Sequence, residues 1–179
     1  MLTAEQTRVV LVAGASQGVG ADVVHQLGDT DAHVVTAELR DGTDALIQDV
    51  ETRFGRLDTL FVNASAMRGG REELRRLVRS AMPLMPSGAH IVFVTSHQAH
   101  FYPHKAVPKG YAELAARMRA SETALYAMRA EFDRAGIRFT VVSGDALDAT
   151  LAPAIVTAAT TPNPSGVVYV GSADYLMTA

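Results

Sequence analysis

The chain has 179 residues, 48% of them hydrophobic, with no cysteine and a formal net charge of −3 at pH 7. This length and composition suit a single domain with a substantial core, which we expect to span residues 1–179. The weak negative charge argues against nucleic-acid binding, and the absence of cysteine excludes disulfides. No apolar run approaches the roughly 20 residues of a membrane span. The polar N-terminus lacks a secretion signal, so we expect a cytoplasmic protein.

The first pattern along the chain is a strand, a glycine-rich turn and a helix. Residues 9–12 are an apolar run typical of a buried parallel strand, and residues 21–27 place apolar side chains on one helix face. Glycines let a phosphate approach the backbone, and a helix N-terminus offers N–H groups and partial positive charge. A tight turn without a ligand has the same pattern. We interpret the segment as nucleotide-binding, with the candidate residues Gly14, Ser16, Gln17, Gly18, Val19 and Gly20.

Further strand patterns follow, separated by helical ones. The strand patterns cover residues 33–37, 56–63, 89–96, 136–144 and 164–171. The helical patterns cover residues 44–54, 71–81 and 110–135, and residues 145–161 leave room for one short helix. Such alternation is typical of an α/β domain with a parallel sheet.

Several of these segments resemble motifs of the short-chain dehydrogenase/reductase family, and they occur in the family's order. The glycine turn is similar to the family's Thr-Gly-x3-Gly-x-Gly, with Ala13 in place of the threonine. Asn63, Ala64 and Ser65 stand where the family's fourth strand ends in Asn-Ala-Gly. Ser96 stands at the end of the fifth strand, where the family has its catalytic serine. The resemblance covers nearly the whole chain.

This resemblance implies a Rossmann-like, doubly wound α/β fold. We expect a mostly parallel sheet of about six strands with helices on both faces, in the order 2-1-4-5-6-7 of the family numbering. Residues 33–37 lead directly to the helix at 44–54, so the family's second helix and third strand are expected to be absent. Gly70 falls near the place of the family's active-site asparagine.

The resemblance also implies a catalytic set: a tyrosine that transfers the substrate proton, a lysine four residues later, a serine and an asparagine. A phenol in water has a pKa of about 10, so the neighbouring cation is chemically important. Ser96 and Tyr111 are our candidate catalytic residues, but Ala115 stands in the lysine position. Counting back from the end of the long helix gives a second register, with Leu114 at the tyrosine place and Met118 at the lysine place. Both registers lack the lysine.

Other residues could complete the site. Lys105 or Lys109 could reach the hydroxyl of Tyr111 from the preceding loop, although a loop lysine is loosely placed. His100 could act as an acid or base beside the serine, whereas His97 is expected to point to the opposite face of the strand. The histidine spacing also invites a metal interpretation, but a loop gives no fixed geometry and we expect no metal.

The cofactor implied by the resemblance is a nicotinamide dinucleotide, NADP or NAD. At the end of the second strand, an acid suits the ribose 2′-hydroxyl of NAD and an arginine suits the 2′-phosphate of NADP. This chain has both Glu38 and Arg40 there, and we interpret Arg40 as a slight preference for NADP. Asn63 and Ala64 are expected to complete the cofactor site.

The long helix at residues 110–135 carries a stripe of small residues that permits close approach of another helix. Because the family often dimerises through its fourth and fifth helices, the resemblance implies a homo-oligomer formed through residues 110–135. The implied function is that of a divergent NAD(P)-dependent oxidoreductase acting on an unidentified small carbonyl or alcohol. Two alternatives stay open: an inactive nucleotide-binding or partner subunit, and a lyase or isomerase that uses Ser96 with a histidine.

Overall fold

The computed structural model describes residues 7–16, 18–39, 42–161 and 166–171. Its strands are β1 (Val9–Ala13), β2 (His33–Ala37), β3 (Thr59–Asn63), β4 (His90–Thr95), β5 (Arg138–Ser143) and β6 (Val167–Tyr169). They form one parallel sheet of six strands in the order β2-β1-β3-β4-β5-β6. The four middle strands are buried along nearly their whole length, which explains why their sequences are largely apolar.

Helices cover both faces of this sheet. They are α1 (Val19–Leu27), α2 (Thr43–Phe54), α3 (Gly70–Ala81), α4 (His97–His100), α5 (Ala112–Ala127), α6 (Arg129–Ala135) and α7 (Leu151–Thr160). Val23 and Leu27 of α1 and Ile155 of α7 form a core with the strands on one face. Side chains of α2, α3, α5 and α6 form a larger core on the other. None of the helices within the described residues is long and apolar enough to cross a lipid bilayer.

The strand order confirms the predicted doubly wound sheet. Between Ala37 and Thr43 the described residues form no strand, so β2 passes to a helix without the family's third strand. β2 and β3 flank β1 on opposite sides, so the direction of winding reverses at β1. Open parallel sheets bind ligands beside such a point, outside the carboxyl ends of the strands. The glycine turn and Ser96 both lie at this edge, after β1 and β4.

The single helix predicted over residues 110–135 is wrong, because the segment forms α5 and α6, which separate at Met128. Met128 has φ −92° and ψ 2°, and its N–H bonds to the carbonyl of Leu125, only three residues back. Its side chain is buried, as is that of Phe132 in the next helix, so the chain stays packed against the sheet across the interruption. Helix-forming residues run through the whole segment, and no breaker marks the interruption in the sequence.

Candidate active site

The glycine turn between β1 and α1 depends on its glycines for backbone geometry. A Cβ on Gly20 would lie 2.0 Å from the carbonyl oxygen of Gly14, so no larger residue fits there. Gly18 adopts a left-handed φ of 57°, and a Cβ on it would meet no described atom within 4 Å. Gly18 is the N-cap of α1 and has no side chain to cap it, which leaves the first N–H groups of the helix available to a ligand.

Glu38, which directly follows β2, lies against the glycine turn. One of its carboxylate oxygens accepts a hydrogen bond of 2.7 Å from the backbone N–H of Ser16. The acid is therefore placed where dinucleotide-binding folds hold a ribose hydroxyl. Val19 is buried at the first position of α1. Gln17 and Arg40, both predicted to contact the cofactor, lie outside the described residues.

β3 ends beside the same turn. Asn63 donates from Nδ2 to the carbonyl oxygen of Gly14 at 3.4 Å, and its Oδ1 accepts from the Ser65 hydroxyl at 2.9 Å. A Cβ on Gly14 would lie 2.5 Å from the Cβ of Ala66, so the two turns pack closely only with glycine there. Ala64 is buried in the short turn that follows Asn63. The structure thus brings Asn63 and Ala64 next to the glycine turn, and their contact with a cofactor stays a prediction.

Two hydroxyl groups meet at the end of β4. Ser96 Oγ and Tyr111 Oη lie 3.0 Å apart, and both residues are partly exposed. Ser96 caps α4, because its Oγ accepts a hydrogen bond of 3.1 Å from the backbone N–H of Ala99. This bond holds the serine side chain toward the tyrosine. The two candidate catalytic residues are therefore assembled, and one carbonyl oxygen could bond to both hydroxyls.

Beside the Tyr111 hydroxyl, where the family's motif has a lysine, this chain has a thioether. The Tyr111 hydroxyl donates to Met118 Sδ at 3.8 Å, and the Met118 side chain is almost fully buried. Ala115 is buried in the core, and Leu114 packs against that core. The structure therefore combines the two predicted registers: the hydroxyl comes from Tyr111, and the side chain beside it is Met118.

The other residues considered for the site do not contact this pair in the described structure. The hydrogen-bond partners of the Tyr111 hydroxyl within the described part of the chain are Ser96 and Met118. Lys105 lies over the Phe101 ring, with Nζ 5.3 Å from the ring centroid. Lys109 is exposed, and Gly70, at the place of the family's asparagine, has no side chain to contribute. Across the described ranges, no three His, Cys, Asp or Glu side chains are grouped to hold a metal ion.

Two cavities meet at the hydroxyl pair. The first, of about 280 Å³, extends toward the glycine turn and is lined in part by Gly18, Asn63 and Met118. The second, of about 510 Å³, opens on the side of the hydroxyl pair away from the glycine turn. It is lined by the loop at residues 144–148 and by Val170 and Gly171, which follow β6. Ser96 and Tyr111 line both cavities, so a group bound in one could react with a group bound in the other.

The residues along the first cavity fit a nicotinamide dinucleotide. Gly18 and the uncapped N-terminus of α1 provide backbone N–H groups suited to phosphates. Thr95 Oγ1 is buried in the cavity wall without a hydrogen-bond partner among the described residues, which leaves a polar contact for a ligand. Glu38 lies beside the glycine turn at Ser16, where its carboxylate could also accept from a ribose hydroxyl.

His97 is tied to neighbouring strands. Its Nε2 donates to the carbonyl oxygen of Val170 at 2.9 Å, and its Nδ1 lies 2.8 Å from Ser143 Oγ. His97 also lines the larger cavity together with Ser96. The prediction that His97 faces away from the site is wrong, because the chain turns into α4 directly after Ser96 instead of continuing the strand.

His100 forms its hydrogen bonds with Glu122 and Tyr169 and not with the hydroxyl pair. Its Nδ1 lies 2.7 Å from Glu122 Oε1 and its Nε2 lies 3.1 Å from Tyr169 Oη. Glu122 does not stand out in the sequence because it falls among the many charged residues of α5, yet its side chain is fully buried. The available signal was its spacing from Ala115 and Met118, which places all three on one helix face.

At the opposite end of β4, His90 is buried away from the site. Burial chiefly, and the nearby Arg138, lower the pKa of His90 to about 4, although a bond to the Ala159 carbonyl opposes this. Its Nδ1 lies 3.4 Å from that carbonyl oxygen, and its Nε2 lies 2.8 Å from Thr140 Oγ1. The ring is therefore neutral and structural.

Comparisons with known proteins agree with this architecture. No family model matches the chain, and no curated protein sequence matches it either. A small-chain dehydrogenase crystallised with NADPH is 18% identical, with a TM-score of 0.74 over 95% of this chain and 99% of that one. A metagenomic short-chain oxidoreductase in complex with NADP is 21% identical, with a TM-score of 0.71 over 91% and 96%. The 3-alpha-hydroxysteroid dehydrogenase from Pseudomonas sp. B-0831, complexed with NADH, is 19% identical, with a TM-score of 0.73 over 94% and 97%.

These likenesses concern the fold, since the identities are low, and they agree with the motifs and the strand order. The chain has the fold of the short-chain dehydrogenases/reductases.

Proposed function

We propose that the protein is an NAD(P)-dependent oxidoreductase that reduces a small carbonyl compound. The observation that carries this proposal is the hydroxyl pair of Ser96 and Tyr111, 3.0 Å apart at the junction of two cavities. One cavity leads to the glycine turn and suits a dinucleotide, and the other suits a substrate. When bound, a reduced nicotinamide supplies a hydride to the carbonyl carbon.

In this proposal Tyr111 donates its phenolic proton to the substrate oxygen as the carbonyl becomes an alcohol. Ser96 holds that oxygen by a second hydrogen bond, and its capping bond to the Ala99 N–H fixes its orientation. The tyrosinate left behind takes a proton from solvent through the open side of the larger cavity. General acid catalysis of this kind contributes roughly 10²- to 10⁴-fold to a rate.

Met118 leaves the phenolate form of Tyr111 without a compensating charge. Reduction needs a phenol that donates a proton, whereas oxidation of an alcohol needs a phenolate that accepts one. A thioether carries no charge to stabilise the phenolate, and it is the side chain 3.8 Å from the Tyr111 hydroxyl. The proposed enzyme therefore transfers this proton slowly in both directions, because the phenolate that forms during reduction is the same phenolate that oxidation requires.

For the cofactor we propose NAD in preference to NADP. The preference for NADP drawn from the sequence rests on Arg40, which lies outside the described residues. Glu38, held 2.7 Å from the Ser16 N–H, supports the opposite choice, because a 2′-phosphate would meet its carboxylate. Glu38→Gln should narrow the difference between the NADH and NADPH dissociation constants. An unchanged ratio would contradict this assignment.

The test of the activity is turnover of a panel of aldehydes, ketones and diketones, followed by the absorbance of reduced nicotinamide. We expect consumption of NADH with at least one small carbonyl, and loss of that activity in Tyr111→Phe. Binding of NADH without turnover of any compound in the panel would contradict the proposal.

That outcome would support a second candidate, an inactive nucleotide-binding subunit. Met118 is the observation that favours it, because a catalytic tyrosine without an adjacent cation is a weakened acid–base group. A partner subunit would bind NADH with normal affinity and show no turnover even after Met118→Lys.

We also propose self-association through α5. A groove of about 530 Å³ runs along α3 and α5, and its lining includes Arg71, Arg75, Ala116, Ala120, Ala124 and Ala127. Small side chains there let a second copy approach the helix closely. Sedimentation equilibrium should show a dimer for the parent protein and a monomer for Ala120→Arg. Ala130→Arg, at an exposed position of α6, is the control and should stay dimeric. A monomeric parent would contradict this.

A further inference from the structure

Glu122, His100 and Tyr169 form a hydrogen-bonded series outside the site described above. Glu122 Oε1 lies 2.7 Å from His100 Nδ1, and His100 Nε2 lies 3.1 Å from Tyr169 Oη. The side chains of Glu122 and His100 are 0% and 9% exposed, and Tyr169 at the edge of the sheet is 46% exposed. The series therefore runs from a buried carboxylate through an imidazole to a phenol at the surface.

Proton positions in this series follow from its chemistry. An ionised carboxylate only accepts hydrogen bonds, so Nδ1 of His100 carries the proton that faces Glu122. When the ring carries no second proton, Nε2 is an acceptor to which the Tyr169 hydroxyl can donate, at the 3.1 Å that separates the two atoms. Arg119 Nη1, 2.9 Å from the same Glu122 oxygen, compensates the buried negative charge. Acid, base and hydroxyl are thus ordered as in a nucleophile–base–acid triad.

Packing holds the phenol in this arrangement. The ring of Tyr169 stacks on that of Phe101, with centroids 5.8 Å apart and an interplanar angle of 11°. His100 contacts both rings edge-on. The three aromatic side chains restrict each other, so the Tyr169 oxygen is kept at the imidazole while part of the residue faces solvent.

We propose that Glu122, His100 and Tyr169 form a second reactive site, in which Tyr169 is a nucleophile toward activated acyl esters. The phenolic oxygen attacks the ester carbonyl carbon, and its proton passes to His100 Nε2. The new C–O bond joins the acyl group to the Tyr169 oxygen. The C–O bond between the acyl group and the aryl group's oxygen breaks, and the aryl oxide leaves. Glu122 is a positioning residue, because it acts only by orienting and stabilising His100. This site does not depend on the proposed carbonyl reduction.

The first experiment uses the parent protein alone. The protein is treated with p-nitrophenyl acetate at neutral pH, and acetylation of each tyrosine is followed by peptide mapping and mass spectrometry. Tyr169 should react at least about tenfold faster than Tyr102, a conservative figure for general-base assistance. Tyr126 is an internal control: burial first, and then the neighbouring Glu122, raise its pKa to about 12, so it should stay unmodified.

The advantage of Tyr169 must depend on the fold. In concentrated urea the tyrosines should react at similar rates. The proposal is overturned if Tyr169 reacts no faster than Tyr102 in the folded protein, or if its advantage persists in urea. This result needs no variant, so it stands even where a substitution in the buried trio prevents folding.

Variants then separate a chemical role from a structural one. His100→Gln and Glu122→Gln should each slow acetylation of Tyr169 by about tenfold or more, while Tyr102 is unaffected. Transfer of a proton to His100 should make the parent reaction slower in deuterated water, and folded His100→Gln should lose this isotope effect. A folded His100→Gln variant with the parent rate and isotope effect would overturn the proposal.

Discussion

The glycine turn and the hydroxyl pair lie at the same edge of the sheet, but they depend on the sequence in different ways. The turn offers backbone N–H groups and open space, so it needs glycines rather than reactive side chains. The pair of Ser96 and Tyr111 needs particular side chains around it, and its neighbour Met118 is a thioether rather than a cation. Binding can therefore survive changes that weaken the chemistry, and the two regions can be tested separately.

The largest expected effect breaks the chemistry and leaves binding intact. Tyr111→Phe removes the proton donor and should lower kcat for carbonyl reduction by about 10²- to 10⁴-fold. The NADH dissociation constant should stay within about twofold, because the dinucleotide is held mainly by backbone groups. Tyr102→Phe is the matched control and should be active. Equal loss of activity in both variants would remove Tyr111 from the mechanism.

The next change breaks the turn instead. Gly20→Ala places a Cβ 2.0 Å from the Gly14 oxygen, and it should lower the free energy of unfolding by about 3 kcal/mol or more. Gly18→Ala has space for its Cβ and should cost less, about 1–3 kcal/mol, for its positive φ of 57°. Urea unfolding of both variants measures this difference. A Gly20→Ala protein as stable as Gly18→Ala would show that the turn is looser than described.

A third prediction concerns the pH dependence of stability, which we attribute to His90, at the end of β4 away from the hydroxyl pair. The pKa of His90 is about 4 in the folded chain against 6.5 for an unperturbed histidine, so the unfolded state takes up the proton first. Stability should therefore fall as the pH drops from about 6.5 to 4, by about 3 kcal/mol at most. His90→Gln should flatten this loss in urea titrations. A parent slope retained in the variant would assign the acid sensitivity to other groups.

The smallest predicted effect comes from placing a positive charge beside the Tyr111 hydroxyl, which should change the chemistry but not the glycine turn. Met118→Lys puts an ammonium group beside the Tyr111 hydroxyl, where it stabilises the phenolate and should speed alcohol oxidation about tenfold. Met118→Leu has similar volume without charge and should show no gain. Steady-state rates with a substrate alcohol and NAD provide the measurement. A gain of the same size in both variants would mean that packing, not charge, limits the tyrosine.

Much of the fold was predictable because local patterns specify it. The apolar runs of β1, β3, β4 and β5 gave their positions, and the glycine spacing marked the turn. Ser96 and Tyr111 were both identifiable, one at the end of a strand pattern and the other before a helix. Their contact also needed the tertiary fold, which the resemblance supplied.

The misses share one physical cause, which is long-range packing. Glu122 resembles any surface acid until its helix face is buried, and the bond from His100 to Tyr169 joins residues 69 positions apart. The helix is interrupted at Met128 although the local sequence favours a helix, and no residue there marks the break. Helical spacing could place Glu122 on the buried face with Met118, but no periodicity identifies His100 and Tyr169 as its partners.

The most direct test of the account is a calorimetric titration of the parent protein with NADH and with NADPH. We predict saturable binding of both dinucleotides, tighter for NADH, and an unchanged NADH affinity in Tyr111→Phe. At 100 times its dissociation constant a ligand stabilises by about 2.7 kcal/mol, which raises the melting temperature of a domain this size by roughly 5 to 11 °C. Neither heat nor a melting shift with either dinucleotide at millimolar concentration would contradict the account.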